Sequence, residues 1–158
     1  MKNPTTAERS SDRELVVTRT FDAPAHLVFE AWTRPELFTR WWVPKSFGLV
    51  LLSCAMDARV GGGYRLVFRV GETEEMAFFG TYTEVTPPSR LVWTNDESPD
   101  GAITTVTFEE RGHQTLVVMR DLYPSKEVLD RAIESGSVGG GYDETFGQLD
   151  EVLTTLAA

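Results

Sequence analysis

Hydrophobic and polar residues alternate along much of the chain, and this alternation predicts a sheet. Between Glu14 and Phe21 apolar, often β-branched side chains recur at every second position, as in a strand with one buried face. The same period returns between residues 49 and 122, interrupted by short turns rich in glycine or proline. Further strands are predicted at 49–57, 64–70, 75–86, 90–95, 102–110 and 114–122. Because most of the turns are short, this seven-stranded sheet should be largely antiparallel.

Other segments repeat their apolar residues every three or four positions, which predicts helices. Two short helices are expected at 24–33 and 35–42, directly after the first strand. A third helical stretch begins at Ser125 and is interrupted by the glycine-rich run 136–141, for which a hinge and a wide loop are both open readings. From residue 142 to residue 157 one broad apolar stripe predicts a long terminal helix that lies on the sheet.

The order of these elements predicts an α+β fold. A sheet of seven strands twists too strongly to stay flat, so it should curl around the terminal helix. The two short helices would then close the open side of the curved sheet. Residues 1–13 show no periodicity and are expected to form a flexible tail, and residues 14–158 to form a single domain.

Aromatic side chains are concentrated between Phe29 and Phe47, and so much apolar surface needs a cover or a ligand. We interpret this segment as the mouth and one wall of an apolar cavity between sheet and terminal helix. A solid aromatic core is the alternative. Trp41 and Trp42 are adjacent and point about 100° apart on a helix, so one of them should face the cavity while the other anchors the segment.

The predicted ligand-binding residues are mainly the large apolar side chains of this segment and of the elements that would face it. They are Trp32, Phe38, Trp41, Trp42, Phe47, Tyr64, Phe68, Tyr82, Trp93, Phe108, Arg120, Phe146 and Leu149. Arg120 is included because alternation places it on one face with Leu116 and Val118.

Further polar candidates for orienting a ligand are Asp57, Arg59, Arg69 and Glu84. The alternative for these charged residues, and for Arg120, is a structural ion pair or a place on the convex face of the sheet.

Composition and charge narrow the classes of partner. The 158 residues are 41% hydrophobic and 25% charged, ordinary values for a globular domain, and the net charge is −9. That charge argues against binding to nucleic acid or to an anionic membrane. The start of the chain lacks an apolar signal segment and no run approaches about 20 apolar residues, so we expect a cytoplasmic protein without membrane insertion.

Residue patterns typical of catalysis or of metal binding are missing from the sequence. His26 and His113 lack a partner at metal-ligand spacing, and the glycine runs lack the P-loop lysine and the dinucleotide fingerprint. Cys54 is the single cysteine, which rules out an internal disulfide, and it lies in an apolar strand where an inert thiol is expected. We therefore predict no catalytic residues, no metal and no cofactor.

Several motifs in order along the chain carry a resemblance to a known family. They are Arg19-Thr-Phe-Asp-Ala-Pro24, Val28-Phe-Glu-Ala-Trp32-Thr, Arg40-Trp-Trp-Val-Pro44, Asp57-Ala-Arg-Val-Gly61-Gly, the stretch from Gly80 to Leu91, and Leu149-Asp-Glu-Val-Leu153. Over about residues 14–156 the chain resembles the bacterial domains related to the activator of the heat-shock-protein ATPase. These domains are part of the START-like (SRPBCC), birch-pollen-allergen-like superfamily.

The resemblance implies a helix-grip fold, in which a curved sheet grips the terminal helix. Its functional implication is broader, because the superfamily includes lipid and steroid carriers, hormone receptors, polyketide cyclases, resistance proteins and co-chaperones. We expect a binding protein for a small, largely hydrophobic molecule that is lipid-, steroid- or polyketide-like. Two alternatives stay open: a cyclase- or hydrolase-type enzyme that uses cavity Tyr82, Glu84 and Arg120, and a co-chaperone-like regulator of a heat-shock ATPase. A homodimer is a further open expectation.

Overall fold

Strands and helices form where the periods of two and of about 3.6 residues predict them. The computed structural model describes residues 4–134 and 142–157. The strands are β1 Thr6–Arg9, β2 Glu14–Phe21, β3 Val50–Met56, β4 Gly63–Val70, β5 Glu74–Thr86, β6 Arg90–Thr94, β7 Ile103–Arg111 and β8 Gln114–Leu122. The helices are α1 Ala25–Thr33, α2 Pro35–Phe38, α3 Lys126–Glu134 and α4 Tyr142–Ala157, with a 3-10 turn at Lys45–Phe47. The predicted α+β class and the largely antiparallel sheet are confirmed.

All strands belong to one antiparallel sheet in the order β1-β2-β8-β7-β6-β5-β4-β3. The long strand β5 changes partner along its length, pairing with β4 up to Thr81 and with β6 from Tyr82 onward. A Cβ atom added at Gly80 would lie 1.8 Å from the carbonyl oxygen of Thr94. Only glycine fits at this close approach of β5 to the end of β6.

Two elements differ from the sequence-based expectation. Residues 6–9, within the segment expected to be a loose tail, form an eighth strand that pairs with β2 from Thr6 opposite Thr18 to Arg9 opposite Leu15. All four residues of β1 are exposed, so no apolar alternation marks this strand, and its pairing relies on backbone hydrogen bonds to the edge of β2.

The second short helix ends at Phe38 and not at residue 42 as predicted. The carbonyl oxygens of Trp41 and Val43 accept hydrogen bonds from the side chain of Gln148, which holds the backbone after α2 in a turn. The glycine run 136–141, for which a hinge or a loop was considered, lies outside the described residues.

Trp32 lies at the centre of the core and is only 1% exposed. Its ring centroid lies 4.7 to 6.5 Å from those of the surrounding aromatic rings, which come from α2 and the following turn, from β6 and β7, and from α4. These neighbours are Phe38, Trp41, Trp42, Trp93, Phe108 and Phe146. Trp41 is fully buried, and its indole Nε1–H donates to the carbonyl oxygen of Ala31 at 2.9 Å. The aromatic segment therefore fills much of the space between sheet and helix.

Helix α4 lies on the sheet through its predicted apolar stripe. Phe146, Leu149 and Val152 are buried, and Phe146 packs edge-on against Phe21 of β2 at 5.7 Å. Arg19 of β2, 3% exposed, forms an ion pair with Asp150 of α4. Apolar burial and this ion pair thus hold α4 against the sheet at β2.

None of the helices within residues 4–134 and 142–157 combines the length and the hydropathy needed to cross a bilayer.

Replacing Trp41 should test how far the fold depends on the aromatic segment. Trp41→Ala opens a cavity in the core, so we expect a loss of about 3–5 kcal/mol in the free energy of unfolding, measured by urea denaturation. Trp41→Phe keeps a ring but leaves the Ala31 carbonyl without its donor, so the loss should be smaller, about 1–3 kcal/mol.

Phe47→Ala is the control because Phe47 is 58% exposed, and its free energy of unfolding should change by about 0.5 kcal/mol or less. Equal effects of Trp41→Ala and Phe47→Ala would contradict the anchoring role of Trp41.

Candidate functional site

A narrow cavity of about 30 Å³ lies between the aromatic segment and strands β3 to β6, and we call it the inner cavity. It is lined by Trp32, Phe38, Trp42, Met56, Tyr64, Leu66, Phe78, Tyr82, Trp93 and Asn95. This volume is about the share of one water molecule in the liquid. The inner cavity as it stands therefore has no room for an organic ligand.

A larger space of about 430 Å³ opens beside it, and we call it the outer pocket. Its lining combines the segment after α2, strands β5 to β8, the β6–β7 loop, α3 and α4. The lining residues are Trp42, Val43, Pro44, Phe47, Leu49, Met76, Phe78, Trp93, Asn95, Glu97, Asp100, Gly101, Ala102, Thr104, Met119, Asp121, Tyr123, Ala132, Tyr142, Thr145 and Phe146. Its volume falls in the range of small-molecule sites, about 300–1,000 Å³.

A common wall separates the two spaces. Trp42, Phe78, Trp93 and Asn95 line both the inner cavity and the outer pocket. The ring of Trp42 stacks on Phe38 at 4.8 Å and meets Trp93 edge-on at 6.2 Å. Of the two adjacent tryptophans it is thus Trp42 that faces open space, and Trp41 that anchors the segment.

The side chains of α4 fix the irregular backbone that carries this wall. The amide of Gln148 donates to the carbonyl oxygens of Trp41 at 2.9 Å and Val43 at 3.0 Å, and its Oε1 accepts from the backbone N–H of Lys45 at 2.9 Å. Glu144 accepts the backbone N–H of Ser46 at 3.0 Å. Trp41 and Val43 lie outside regular secondary structure, and the N–H groups of Lys45 and Ser46 stand at the start of the 3-10 turn. The bonds from α4 satisfy these groups and hold the rim of the outer pocket in place.

A chain of hydrogen bonds crosses the floor of the site from the inner cavity to the outer pocket. The hydroxyl of Tyr64 donates to Thr94 O at 2.9 Å and lies 3.2 Å from Asn95 Oδ1. Asn95 Nδ2 donates to Thr104 Oγ1 at 3.0 Å, and Thr104 Oγ1–H donates to Asp121 Oδ1 at 2.6 Å. This series of hydrogen bonds ends on the carboxyl group of Asp121, which lies in the largely apolar outer pocket.

Burial raises the pKa of Asp121 from 3.8 to about 6, although the hydrogen bond from Thr104 opposes this shift. Burial, and second to it the charge of Asp121, also raise the pKa of Tyr123 to about 12 and that of Tyr142 above its ordinary value. Both phenols therefore stay protonated at neutral pH and lie in the same pocket as an acid that titrates near pH 6.

Most of the predicted ligand-binding residues line one of the two spaces. Trp32, Phe38, Tyr64 and Tyr82 line the inner cavity, Phe47 and Phe146 line the outer pocket, and Trp42 and Trp93 line both. Trp41, Phe68, Phe108 and Leu149 line neither and are packed in the core.

Arg120 does not enter the site, and this corrects its predicted orientation. Its side chain is 48% exposed and forms an ion pair with Glu14 at 3.1 Å. Apolar residues occupy both faces of β8, so alternation alone did not decide which face is inward. The structure buries Val117 and Met119, which places Arg120 outside and Asp121 inside.

The remaining charged candidates lie on the surface. Asp57 pairs with Arg59 at 2.8 Å and Glu84 pairs with Arg90 at 3.1 Å, all with exposed side chains, and Arg69 is exposed on β4. These positions fit the alternative considered from the sequence, in which the charged residues form ion pairs or lie on the convex face of the sheet. Tyr82, Glu84 and Arg120, the set considered for catalysis, do not converge, because Tyr82 alone of the three lines a cavity.

Sequence reasoning missed the polar residues of the outer pocket, above all Asn95, Thr104, Asp121 and Tyr142. Asp121 continues the alternation of Val117 and Met119, but the opposite face of β8 is apolar as well, so this pattern alone did not single it out. Asn95 carried no such signal, since it directly follows β6 and its role depends on contacts with Tyr64 and Thr104.

Within residues 4–134 and 142–157, no group of three His, Cys, Asp or Glu side chains is placed to hold a metal ion. Burial raises the pKa of the half-buried Cys54 thiol, which favours the neutral form over the nucleophilic thiolate.

Comparison with known proteins identifies the family. The family described as "Activator of Hsp90 ATPase homolog 1-like protein" matches residues 22–154. The chain belongs to this family. The match runs from the end of β2 into the last turns of α4 and confirms the resemblance of the motifs. Comparison with curated proteins gives no match.

Solved structures show the same fold. A Rhodobacter sphaeroides protein superposes with a TM-score of 0.87 at 22% identity, over 97% of this chain and 99% of its own. A Nitrosomonas europaea protein gives 0.81 at 25% identity, over 94% and 99%. The protein CalU16 from Micromonospora echinospora gives 0.62 at 19% identity, over 99% and 87%. The helix-grip fold is thus confirmed, with eight strands instead of the predicted seven in the part of the chain that the structure describes.

Removing the charge of Asp121 should stabilise the protein in a pH-dependent way. Near pH 3, below both the ordinary pKa of 3.8 and the raised pKa of the folded state, the carboxyl is protonated in folded and unfolded chains alike, so its ionisation costs nothing there. Above about pH 6 it is ionised in both states and the folded state carries the cost of burial. Asp121→Asn keeps an acceptor for Thr104, so it should raise the free energy of unfolding by up to about 3 kcal/mol near pH 8 and by almost nothing near pH 3.

Urea denaturation at the two pH values measures this difference. The same change at both would show that the charge of Asp121 does not destabilise the folded state.

Proposed function

We propose that this protein binds a small, largely hydrophobic molecule in the outer pocket. The observation that carries the proposal is a space of about 430 Å³ whose wall is mainly aromatic and aliphatic and whose polar groups are few. Apolar pockets of this size gain binding free energy from burial, while isolated polar groups orient the ligand.

The outer pocket is a better candidate than the centre of the fold because the aromatic segment already fills the centre. The inner cavity has only about 30 Å³, but it shares a wall with the outer pocket. Trp32 also lines the inner cavity, and its buried Nε1 has no hydrogen-bond partner among the described residues. A ligand whose acceptor reached this N–H would offset the cost of leaving it unpaired, which is about 1–3 kcal/mol.

The two alternative functions have less support. The enzyme hypothesis loses two of its three residues, because Glu84 and Arg120 are on the surface. The co-chaperone hypothesis has only the family description in its favour. A purified heat-shock ATPase assay tests it directly: unchanged turnover with the protein in excess would dispose of it. A cytoplasmic location and a homodimer stay predictions.

A ligand screen tests the binding proposal. The protein would be screened by thermal shift against lipids, steroids and polyketide-like polyphenols, and hits would be verified by native mass spectrometry. A ligand of the folded state raises the melting temperature with concentration, and at a hundred times Kd the gain is about 2.7 kcal/mol. No stabilisation by any of these classes, together with no co-purified small molecule, would count against the proposal.

Truncation at the mouth of the pocket supplies a matched test. Phe47 lines the outer pocket while exposing 58% of its surface, so Phe47→Ala should weaken binding of a hit about five-fold, as expected for about 1 kcal/mol of lost apolar contact. Equilibrium dialysis of the hit against each variant measures the change.

Val60→Ala is the control, because Val60 is also an exposed apolar residue, 67% exposed, and lies outside the lining. Equal affinities of the two variants would place binding elsewhere.

A further inference from the structure

We infer that the outer pocket selects ligands that join an apolar body to a protonated amine, and that Asp121 accepts the ammonium group. This inference rests on the proposed function and adds the chemical class of the ligand.

The charges of the pocket lining have one sign. Glu97, Asp100 and Asp121 contribute carboxyl groups, and no Lys, Arg or His occurs among the described residues that line the pocket. Asp100 lies 3.6 Å from Arg131, and both of these side chains are more than half exposed. Its charge is therefore partly compensated at the rim. Asp121 lines the pocket together with the buried Met119 and Phe146.

The geometry of Asp121 leaves it free to accept more hydrogen bonds. Oδ1 accepts from Thr104 at 2.6 Å, and within the described part of the chain Oδ2 has no donor. Thr104 Oγ1 accepts from Asn95 Nδ2 at 3.0 Å and gives its one proton to Asp121, whose carboxylate can only accept when it is ionised. The hydrogen-bond chain thus presents an acceptor at its pocket end, and an ammonium group brings three donors.

The remaining lining suits a cation with an apolar body. Trp42, Trp93 and Tyr142 line the same pocket, and the faces of such rings attract ammonium groups. A fatty acid or another anionic amphiphile would add a further negative charge to a pocket whose described lining contains acidic residues and no basic one. Electrostatics therefore favours amines and disfavours acids of the same shape.

Binding should also depend on pH through Asp121. Burial raises its pKa to about 6, so an amine that stays protonated should bind less tightly as the pH falls below this value. The titratable groups around it are Tyr64 on β4, Tyr123 after β8 and Tyr142 on α4, with Glu97, Asp100 and Arg131 at the rim. Because burial raises the pKa of each tyrosine, the three phenols stay protonated in acid, and we assign the fall in affinity to Asp121.

The test uses three probes with one apolar body: 2-naphthylmethylamine, 2-naphthylmethanol and 2-naphthoate. Equilibrium dialysis near pH 7.5 gives the Kd of each for the full chain, for Asp121→Asn and for Glu127→Gln. Glu127 is an exposed acid of α3 outside the lining, so its variant makes the same change in net charge without touching the pocket.

We expect the amine to bind the unmodified protein and Glu127→Gln at least about ten-fold more tightly than the alcohol, and the acid to bind most weakly. In Asp121→Asn this preference should shrink to less than about three-fold, and the loss of amine affinity below about pH 6 should disappear. An amine preference that survives Asp121→Asn would overturn the role of Asp121. Equal binding of all three probes, or tightest binding of the acid, would overturn the inference and leave the proposed function standing. Binding of none of them would count against both.

Discussion

The packing of aromatic rings around Trp32 is the constraint on which the rest of the structure depends. In this fold a curved sheet surrounds a helix, and the side chains between the two determine how much open volume is left. Here the rings of Trp41, Phe108 and Phe146 meet Trp32 from the turn after α2, from β7 and from α4. Close-packed interiors have few voids larger than a water molecule, so the centre keeps only about 30 Å³. The larger open space lies to the side of the centre, where the β6–β7 loop, α3 and α4 meet the end of the aromatic segment.

The backbone after α2 matters because it carries Trp42 and Phe47, which line this open space. Residues 41–47 are mostly irregular, and irregular backbone needs partners for its polar groups. Gln148 supplies three of these hydrogen bonds from a single buried side chain, and Glu144 supplies another. One face of α4 therefore does two things: its apolar residues close the core, and its amide and carboxylate fix Trp42 and Phe47 at the pocket.

The strands and helices could be predicted well from the sequence because their apolar residues recur with a clear period. The site was predicted less well, because its polar groups depend on which face of each strand points inward. Each of the predicted strands and the terminal helix lies within a residue or two of its observed bounds. β1 was not predicted because Thr6–Arg9 pairs with β2 through backbone hydrogen bonds, and its exposed side chains show no apolar pattern. On β8 a choice between two apolar faces decided whether Arg120 or Asp121 pointed inward, and periodicity cannot make that choice. Gln148 acts through Trp41, 107 residues away, and Asn95 through Tyr64, 31 residues away on another strand, and no local signal marks such contacts.

A carboxyl group at position 121 is not what the stability of the fold alone would favour. An asparagine could accept the hydrogen bond from Thr104 without bringing a charge into the pocket, yet the chain places a carboxyl there. Residues that break a local rule are expected where function compensates the cost. A ligand ammonium would supply that compensation, since it restores to the carboxylate the donors and the positive charge that burial removes. Burial also sets the pH range in which the pocket can bind a cation: a carboxyl with a pKa near 6 is fully ionised only at neutral pH and above. The net charge of −9 acts in the same direction over longer range, because it attracts cations toward the protein before any contact is made.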